Sequence, residues 1–446
     1  MKYINLLLAF LVAGILFAQP NFMPVTTIAE DFGSLSCPNC LVAWQGLQAV
    51  HSETHNGEFI TARLFTESGS LSNAEIEERF SYYGVIGLPN VIFNGLISIE
   101  GAGEGTADGT NYLNALSQTR FSASPVKIDI TDFSLGRGAV SANVTMLSPT
   151  AVISNAKLVY YLLEDNVGSE TNVLRGVLYD DIASLSGAGT TLNFNRTFDL
   201  NPDWSVSNLW GLIFLQLSDK TIVQCVSSLP LPEYNFRVAM DWKTSVTVEP
   251  NTNYLSSPIW LFNLGAADNY TMSIQVDNAP ADWYFNYCDE EGNCYPGSID
   301  RPFTLAAGEA TSIHLNLMIG SSGTADFRIA VNSPHIGSYN VPFHITASTP
   351  IIDDTNTLSP YIIKGFYPNP VKSSAVFHLS NPKNVGSATI EIYNVKGQKV
   401  QTLKETNLHS GENEISFVPD TNLPNGIYFY RLQNSNSKAG RFIIMK

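Results

Sequence analysis

The sequence predicts a multidomain, mainly β chain: an α/β head, two β-sandwich domains of Ig-like type, and a C-terminal Ig-like β-sandwich module. Three observations carry that expectation. The chain has 446 residues, and a single hydrophobic core stops growing near about 250 to 300. Its apolar period changes along the chain, mixing helical and strand spacing up to Arg120 and keeping to period two afterwards. Its charge is uneven: residues 361–446 hold ten Lys or Arg against five Asp or Glu, a local +5 in a chain of formal charge −16, which leaves −21 for the rest.

Composition narrows the function classes. With 44% hydrophobic and 14% charged residues, against about 25% charged in an average soluble domain, the chain is too apolar for a disordered protein. No basic cluster precedes residue 361, so no nucleic-acid partner is expected.

The N-terminus reads Met1-Lys2, an apolar run from Leu6 to Phe17, then Ala18 before Gln19-Pro20. This is the pattern of a signal peptide over residues 1–18, cleaved after Ala18. The run is short of the roughly 20 residues a spanning helix needs, and no transmembrane segment is expected after cleavage. Export places the five cysteines, at 37, 40, 225, 288 and 294, where disulfides persist.

The head, residues 19–121, opens with a strand-like run Val25–Phe32 and a second at Phe59–Phe65. Between them Cys40, Ala43, Trp44, Leu47 and Val50 recur at helical spacing. Ile76, Phe80 and Tyr83 do so again, and Tyr112, Leu113 and Leu116 more weakly. Two short runs, Asn90–Phe93 and Leu96–Ile99, flank the Asn94-Gly95 pair that favours a tight hairpin. The expected order is β-α-β-α-β-β-α.

Past a break at 122–125, alternation dominates. Val126/Ile128/Ile130, Val140/Ala142/Val144/Met146 and Leu158/Tyr160/Leu162 mark a sandwich over 125–245. Ile313/Leu315/Leu317/Ile319 and Phe327/Ile329/Val331 mark a second over 246–350. Residues 351–360 have linker composition. The basic module, 361–446, has strands at Thr389–Tyr393, Gly426–Leu432 and Gly440–Lys446, the last two joined as a hairpin across Asn434–Ser437.

Cys37-Pro38-Asn39-Cys40 falls between a predicted strand and a predicted helix. A helix N-terminus favours a thiolate through its free amides and dipole, Pro38 in the first turn costs no hydrogen bond, and Cys40 stands one turn in. About fifty residues on, Gly87-Leu88-Pro89-Asn90 leads into Val91-Ile92-Phe93. This arrangement resembles the thioredoxin superfamily over roughly residues 24–120, departing from it at Leu35-Ser36 and at Leu88. The resemblance implies that Pro89 is cis and packs beside the dithiol, that Cys37 attacks substrate disulfides, and that Cys40 resolves the mixed disulfide. The catalytic candidates are therefore Cys37, Cys40 and Pro89, with protein thiols or disulfides as substrates. A purely structural Cys37–Cys40 disulfide and a zinc site short of its second ligand pair are the alternatives.

Other constellations are weaker. His51 and His55, four apart, could share a helix face, although imidazoles near a helix C-terminus need no metal. No Gly-x-Ser-x-Gly, His-Glu-x-x-His or phosphate-loop pattern occurs, so neither hydrolase chemistry nor a cofactor or metal is expected. Cys288-Asp289-Glu290-Glu291-Gly292-Asn293-Cys294 reads as a disulfide-stapled hairpin, Cys288–Cys294, with a solvated acidic turn that lacks the alternating oxygen ligands of a known calcium loop. Cys225, in an apolar strand, reads as a buried thiol.

The tail carries the most specific pattern: Phe366-Tyr367-Pro368-Asn369-Pro370, then Ile392-Tyr393-Asn394-Val395-Lys396-Gly397, then Leu423-Pro424-Asn425-Gly426-Ile427-Tyr428. It resembles the type A sorting domain of the type IX secretion system. That implies export through the periplasm of a Gram-negative bacterium to the cell surface, outer membrane or medium, with residues 361–446 engaging the secretion machinery. Together with the Trp283–Cys294 run, the chain resembles a family of outer-membrane-associated proteins with a thioredoxin-like N-terminal domain. Two functions stay open on the sequence: a thiol-disulfide oxidoreductase, or a non-enzymatic surface binding or adhesion protein.

Overall fold

The computed structural model describes residues 20–55, 57–66, 71–348, 362–381, 387–406, 408–409, 411–433 and 440–445. The expected signal peptide 1–18, the expected linker 351–360 and the expected turn Asn434–Ser437 lie outside them. Residues up to Ser348 form one compact unit and Thr349–Lys446 a second. Among the described residues no helix is long and apolar enough to cross a membrane.

The first unit begins with β1 (Met23–Pro24), β2 (Thr27–Gly33), α1 (Pro38–Ser52), β3 (Phe59–Phe65), α2 (Ala74–Tyr83), β4 (Asn90–Phe93), β5 (Ile97–Glu100) and α3 (Thr110–Leu116). The expected order of elements is thus present. β2 runs parallel to β3 and antiparallel to β4, and β4 antiparallel to β5, so the strands lie as β3-β2-β4-β5. The Asn94-Gly95 turn takes positive φ at both residues, 44° and 77°, as a two-residue hairpin requires. α2 is capped by Asn73, whose Oδ1 accepts from Ile76 N at 2.9 Å, and stops at Gly84 in the left-handed conformation.

Next come β6 (Ala123–Ser124), β7 (Val126–Ser134), β8 (Ala139–Met146), β9 (Val152–Glu164), β10 (Val173–Ser186), β11 (Thr191–Thr197), β12 (Leu209–Gln216) and β13 (Ile222–Ser227). β11-β8-β7 form one layer and β13-β12-β9-β10 the other, with a shared core that includes Val140, Val144, Leu158, Tyr160 and Leu162. The second layer also joins the head: β10 pairs in parallel with β3 at Val173 and Arg63, making one eight-stranded sheet.

That sheet folds back on itself, because a second core unites Ile28, Phe32, Leu64, Ile76, Phe80 and Ile92 of the head with Val159, Tyr161, Leu163, Leu212 and Phe214. β9 is consequently buried continuously from Leu158 to Glu164 and β12 along its whole length. A strand covered on both faces has no polar side to show. The segments 19–121 and 125–245, read from the sequence as separate bodies, therefore share a core inside one unit.

The remainder of this unit is a sandwich of a six-stranded and a five-stranded sheet around Phe236, Leu261, Leu315, Phe327, Ile329 and Val341, reached also by Phe121 of the head. Its first strand, Phe236–Ala239, pairs with Ile259–Asn263, so this layer starts before residue 245, where the sequence placed the border. Cys288 and Cys294 face each other across a hairpin and are disulfide-bonded, with Cα atoms 4.0 Å apart. Glu290 to Asn293 are exposed, as expected of a solvated acidic turn, and hydrogen bonds order it. Asp289 accepts from Asn293 N at 2.8 Å, from the Tyr295 hydroxyl at 2.9 Å and from Arg301, and Glu290 accepts from Ser312 N.

The second unit is itself two sheets, of three and four strands, around Phe377, Ile390, Ile392, Phe417, Phe442 and Ile444. The strands Gly426–Leu432 and Gly440–Ile444 pair antiparallel, as expected. The last strand is also gripped by the opening motif. Asn369 Oδ1 accepts from Ile443 N at 2.9 Å, and Val371 N donates to Ile443 O at 2.7 Å.

Candidate functional site

β2 alternates strictly. Ile28, Glu30 and Phe32 point to the core shared with the second block, β6 to β13, while Ala29, Asp31 and Gly33 point toward α1, whose apolar stripe Ala43, Trp44, Leu47 and Val50 packs there. Gly33 ends the strand at the first turn of α1. A Cβ built on it would lie 3.4 Å from both Cβ and Sγ of Cys40, so the backbone itself forms the floor under the disulfide.

Cys37 is the N-cap of α1, with extended backbone, and its Sγ accepts from Cys40 N at 3.2 Å. Cys37 is half-buried and Cys40 is 3% exposed; the two are disulfide-bonded, with Cα atoms 5.4 Å apart. The reachable sulfur is thus the one at the positive end of the helix dipole.

Pro89 is buried, and the Leu88–Pro89 bond is cis. The β2/β4 register, Asp31 with Val91 and Phe32 with Asn90, brings Pro89 to the next step, beside Gly33. Cys37, Cys40 and Pro89 are therefore gathered around the end of one strand. Leu35 and Leu41 flank the disulfide and are more than half exposed, and Ile86, in the loop before Pro89, is 96% exposed. Beside that loop lies a cleft of about 490 Å³ with Phe80, Val85 and Leu88 as its apolar wall and Thr66 and Glu77 on its polar side.

One residue of the site had only a weak signal in the sequence. Asp31 is 3% exposed, and its Oδ1 has no hydrogen-bond partner among the described residues. Its Oδ2 accepts from Arg63 Nε at 3.2 Å. Burial pushes its carboxyl up to about 6, with Arg63 pulling the other way. Asp31 stands two residues before Gly33 on the same face, about 6 to 7 Å along the strand from the floor under Cys40. The available clue was the charged pair Glu30-Asp31 inside the otherwise uncharged strand-like run Val25–Phe32.

The remaining candidates lie elsewhere. His51 Nε2 is 3.0 Å from Thr61 Oγ1, whereas His55 lies beyond the end of α1 and stacks on Tyr339 at 4.8 Å. The two imidazoles do not converge. Among the described residues no group of three or more His, Cys, Asp or Glu could hold a metal. Cys225 is a buried free thiol in β13, and burial pushes its thiol well above the usual range.

Residues 365–446 match the family described as the secretion system C-terminal sorting domain. This type IX sorting domain marks proteins exported to the cell surface or outer membrane, or secreted, and it implies contact with the type IX secretion machinery. The chain is an exported protein. No curated protein matches it. Among solved structures it is similar to dimeric latent PorU from Porphyromonas gingivalis, at 16% identity over 78% of this chain and 39% of that one, with a TM-score of 0.18. It is also similar to the PapD-like domain 7 of human CEP192 (16% identity, 28% of this chain and 92% of that one, TM-score 0.18) and to the N-terminal domain of PorA (12%, 26% and 98%, TM-score 0.19). At these TM-scores the likenesses carry no argument about fold or chemistry.

Proposed function

We propose that this exported chain is a thiol-disulfide oxidoreductase, with a thioredoxin-like head made of β2, α1, β3, α2, β4, β5 and α3. A cleavable signal peptide over residues 1–18 and outer-membrane association belong to the same reading. The observation that carries it is the meeting of three features at one strand end: a half-buried Cys37 capping α1, its disulfide to the buried Cys40, and cis Pro89 one register step beyond the Phe32/Asn90 pair, beside Gly33.

From the disulfide form, a substrate thiolate attacks Cys37 Sγ. The Cys37–Cys40 bond breaks, and Cys40 leaves with the electron pair. A second substrate thiolate then attacks the substrate sulfur of the mixed disulfide, and Cys37 departs as a thiolate held by the amides of α1. The substrate dithiol becomes a disulfide, the head gains two electrons, and the reverse sequence reduces a substrate disulfide. Asp31, on the face below Cys40, is placed to exchange a proton with the Cys40 thiol. The exposed apolar rim and the adjacent cleft suit a polypeptide substrate with apolar side chains beside its cysteine.

The test is exchange with a peptide disulfide by the mature full chain. Wild type is expected to accelerate it, and Cys37→Ser to lose the acceleration by about a hundredfold or more. Equal rates for the two proteins would support the reading in which Cys37–Cys40 is a staple of a binding protein.

A further inference from the structure

Asp31 is not served by the head alone. Its one partner, Arg63 on β3, is shared: Nε goes to Asp31 Oδ2, while Nη1 forms the closer contact, to Glu170 Oε2. Glu170 belongs to the loop between β9 and β10, in the second block. The guanidinium is fixed in place, its side chain 4% exposed and its carbon 4.4 Å from the Trp44 ring centroid and 4.9 Å from that of Phe65. A guanidinium can grip one carboxylate with two parallel N–H groups. Here Asp31 receives one, and its Oδ1 has no hydrogen-bond partner among the described residues.

The loop that supplies Glu170 is shaped for this position. Asn166, Gly168 and Asn172 have positive φ, and Asp165 Oδ1 accepts from Asn172 N at 2.9 Å. The loop is then tied to β3 at Arg63 itself and two residues before it, by Arg63 N to Asn172 O at 2.8 Å and Asn172 Nδ2 to Thr61 O at 3.1 Å. Val167 packs against Phe65 and Leu71. These contacts fix Glu170 against Arg63 even though the Glu170 side chain is 20% exposed.

We propose that Glu170 is a positioning residue for the Cys37–Cys40 chemistry, drawing Arg63 away from Asp31 so that the carboxyl below Cys40 keeps one oxygen free to carry a proton. The inference rests on the oxidoreductase reading of the head, and it makes the β block part of the redox site. The groups facing Asp31 are few: Arg63 from β3, Tyr112 from α3 with a buried unpartnered hydroxyl, the first turn of α1 with Cys40, apolar Val91 from β4, and Glu170 beyond Arg63. Glu170 also acts directly, since its charge opposes ionisation of Asp31.

The test uses the full mature chain, with the carboxyl carbon of Asp31 followed by NMR as pH is varied and the pH profile of disulfide exchange measured in parallel. Glu170→Gln is expected to lower the Asp31 midpoint and the acidic limb of the exchange profile together, by about one pH unit. Glu170→Asp should restore part of the shift. In an Asp31→Asn background, Glu170→Gln should not move the profile further. An Asp31 midpoint in Glu170→Gln equal to that of wild type overturns the proposal. Absence of exchange in wild type would instead overturn the oxidoreductase reading, and the NMR titration would still decide the role of Glu170.

Discussion

Arg79 of α2 reaches Glu30 of β2 with two prongs, Nη2 at 2.7 Å and Nε at 3.2 Å, both onto Oε1, and the two side chains are 2% and 0% exposed. Tyr161 of the second block donates to the same oxygen, Tyr83 donates to Oε2 at 2.6 Å, and Gln216 accepts from Arg79 Nη1 at 2.9 Å. The ion pair therefore spans the joint between the head and the second block. Removing one partner of such a pair leaves a buried charge uncompensated. Glu30→Ala is expected to cost about 3 to 5 kcal/mol in urea unfolding of the mature chain. A loss below about 1 kcal/mol would show that the network is not buried as described.

A matching joint holds the head to the sandwich that begins at Phe236. Glu58, fully buried, accepts from Arg120 at 2.7 Å and from the Tyr339 hydroxyl, and Arg237 donates to Val25 O at 2.8 Å. The fragment 20–121 should consequently fail to fold by itself, because Ile28, Phe32, Ile76 and Ile92 would lose their cover, Glu30 would lose Tyr161, and Glu58 would lose Tyr339 and Arg237. Size-exclusion chromatography and denaturant unfolding check this. A soluble monomer with a cooperative transition would contradict it.

These joints mark where the sequence stops being readable. The alternation Leu158/Tyr160/Leu162 was legible, and it lines the core with β7 and β8. The interleaved Val159, Tyr161 and Leu163 carried the complementary message of a strand covered on both faces, but a lone apolar run does not say which segment provides the second cover. The helix stripe from Cys40 to Val50, the Asn94-Gly95 hairpin and the dithiol at a helix start depend on local physics, and the structure has all three. Glu30, Asp31 and Glu170 depend on partners 32 to 131 residues away, and no periodicity encodes those.

Two groups of the head titrate with opposite effect. Burial holds the His51 imidazole down, to about 4. Its neutral form is favoured by folding, so its contribution is full above about pH 6.5 and is lost as pH falls toward 4. Asp31 has the raised value, so its contribution is full below about pH 4 and is lost as pH rises through about 6. The two windows overlap and largely cancel in wild type. Relative to wild type, Asp31→Asn should lose about a further 2 to 3 kcal/mol on going from pH 7 to 4, because the offsetting Asp31 contribution is gone, and His51→Gln should lose about 2 to 3 kcal/mol less than wild type. Denaturant unfolding at a series of pH values reads both, and identical profiles for the two variants would contradict the assignment.

The sorting module offers a test by cell fractionation. Asn369 ties the final strand to the Tyr-Pro-Asn-Pro segment by its bond to Ile443 N. Asn369→Ala should loosen that strand at a cost of about 1 kcal/mol, and the variant chain should accumulate in the periplasm relative to wild type. Deletion of residues 361–446 should retain the chain there entirely. Surface or medium localisation of the deletion would contradict an export role for the module.

The central claim is that the Cys37–Cys40 pair exchanges electrons with substrates. It is tested most directly by equilibrating the full mature chain in glutathione or dithiol redox buffers and counting reduced Cys37 and Cys40 by mass spectrometry. An exchanging pair is expected to have a midpoint between about −120 and −270 mV. A midpoint below about −300 mV, the range of inert structural disulfides, would contradict the claim and leave Cys37–Cys40 as a staple.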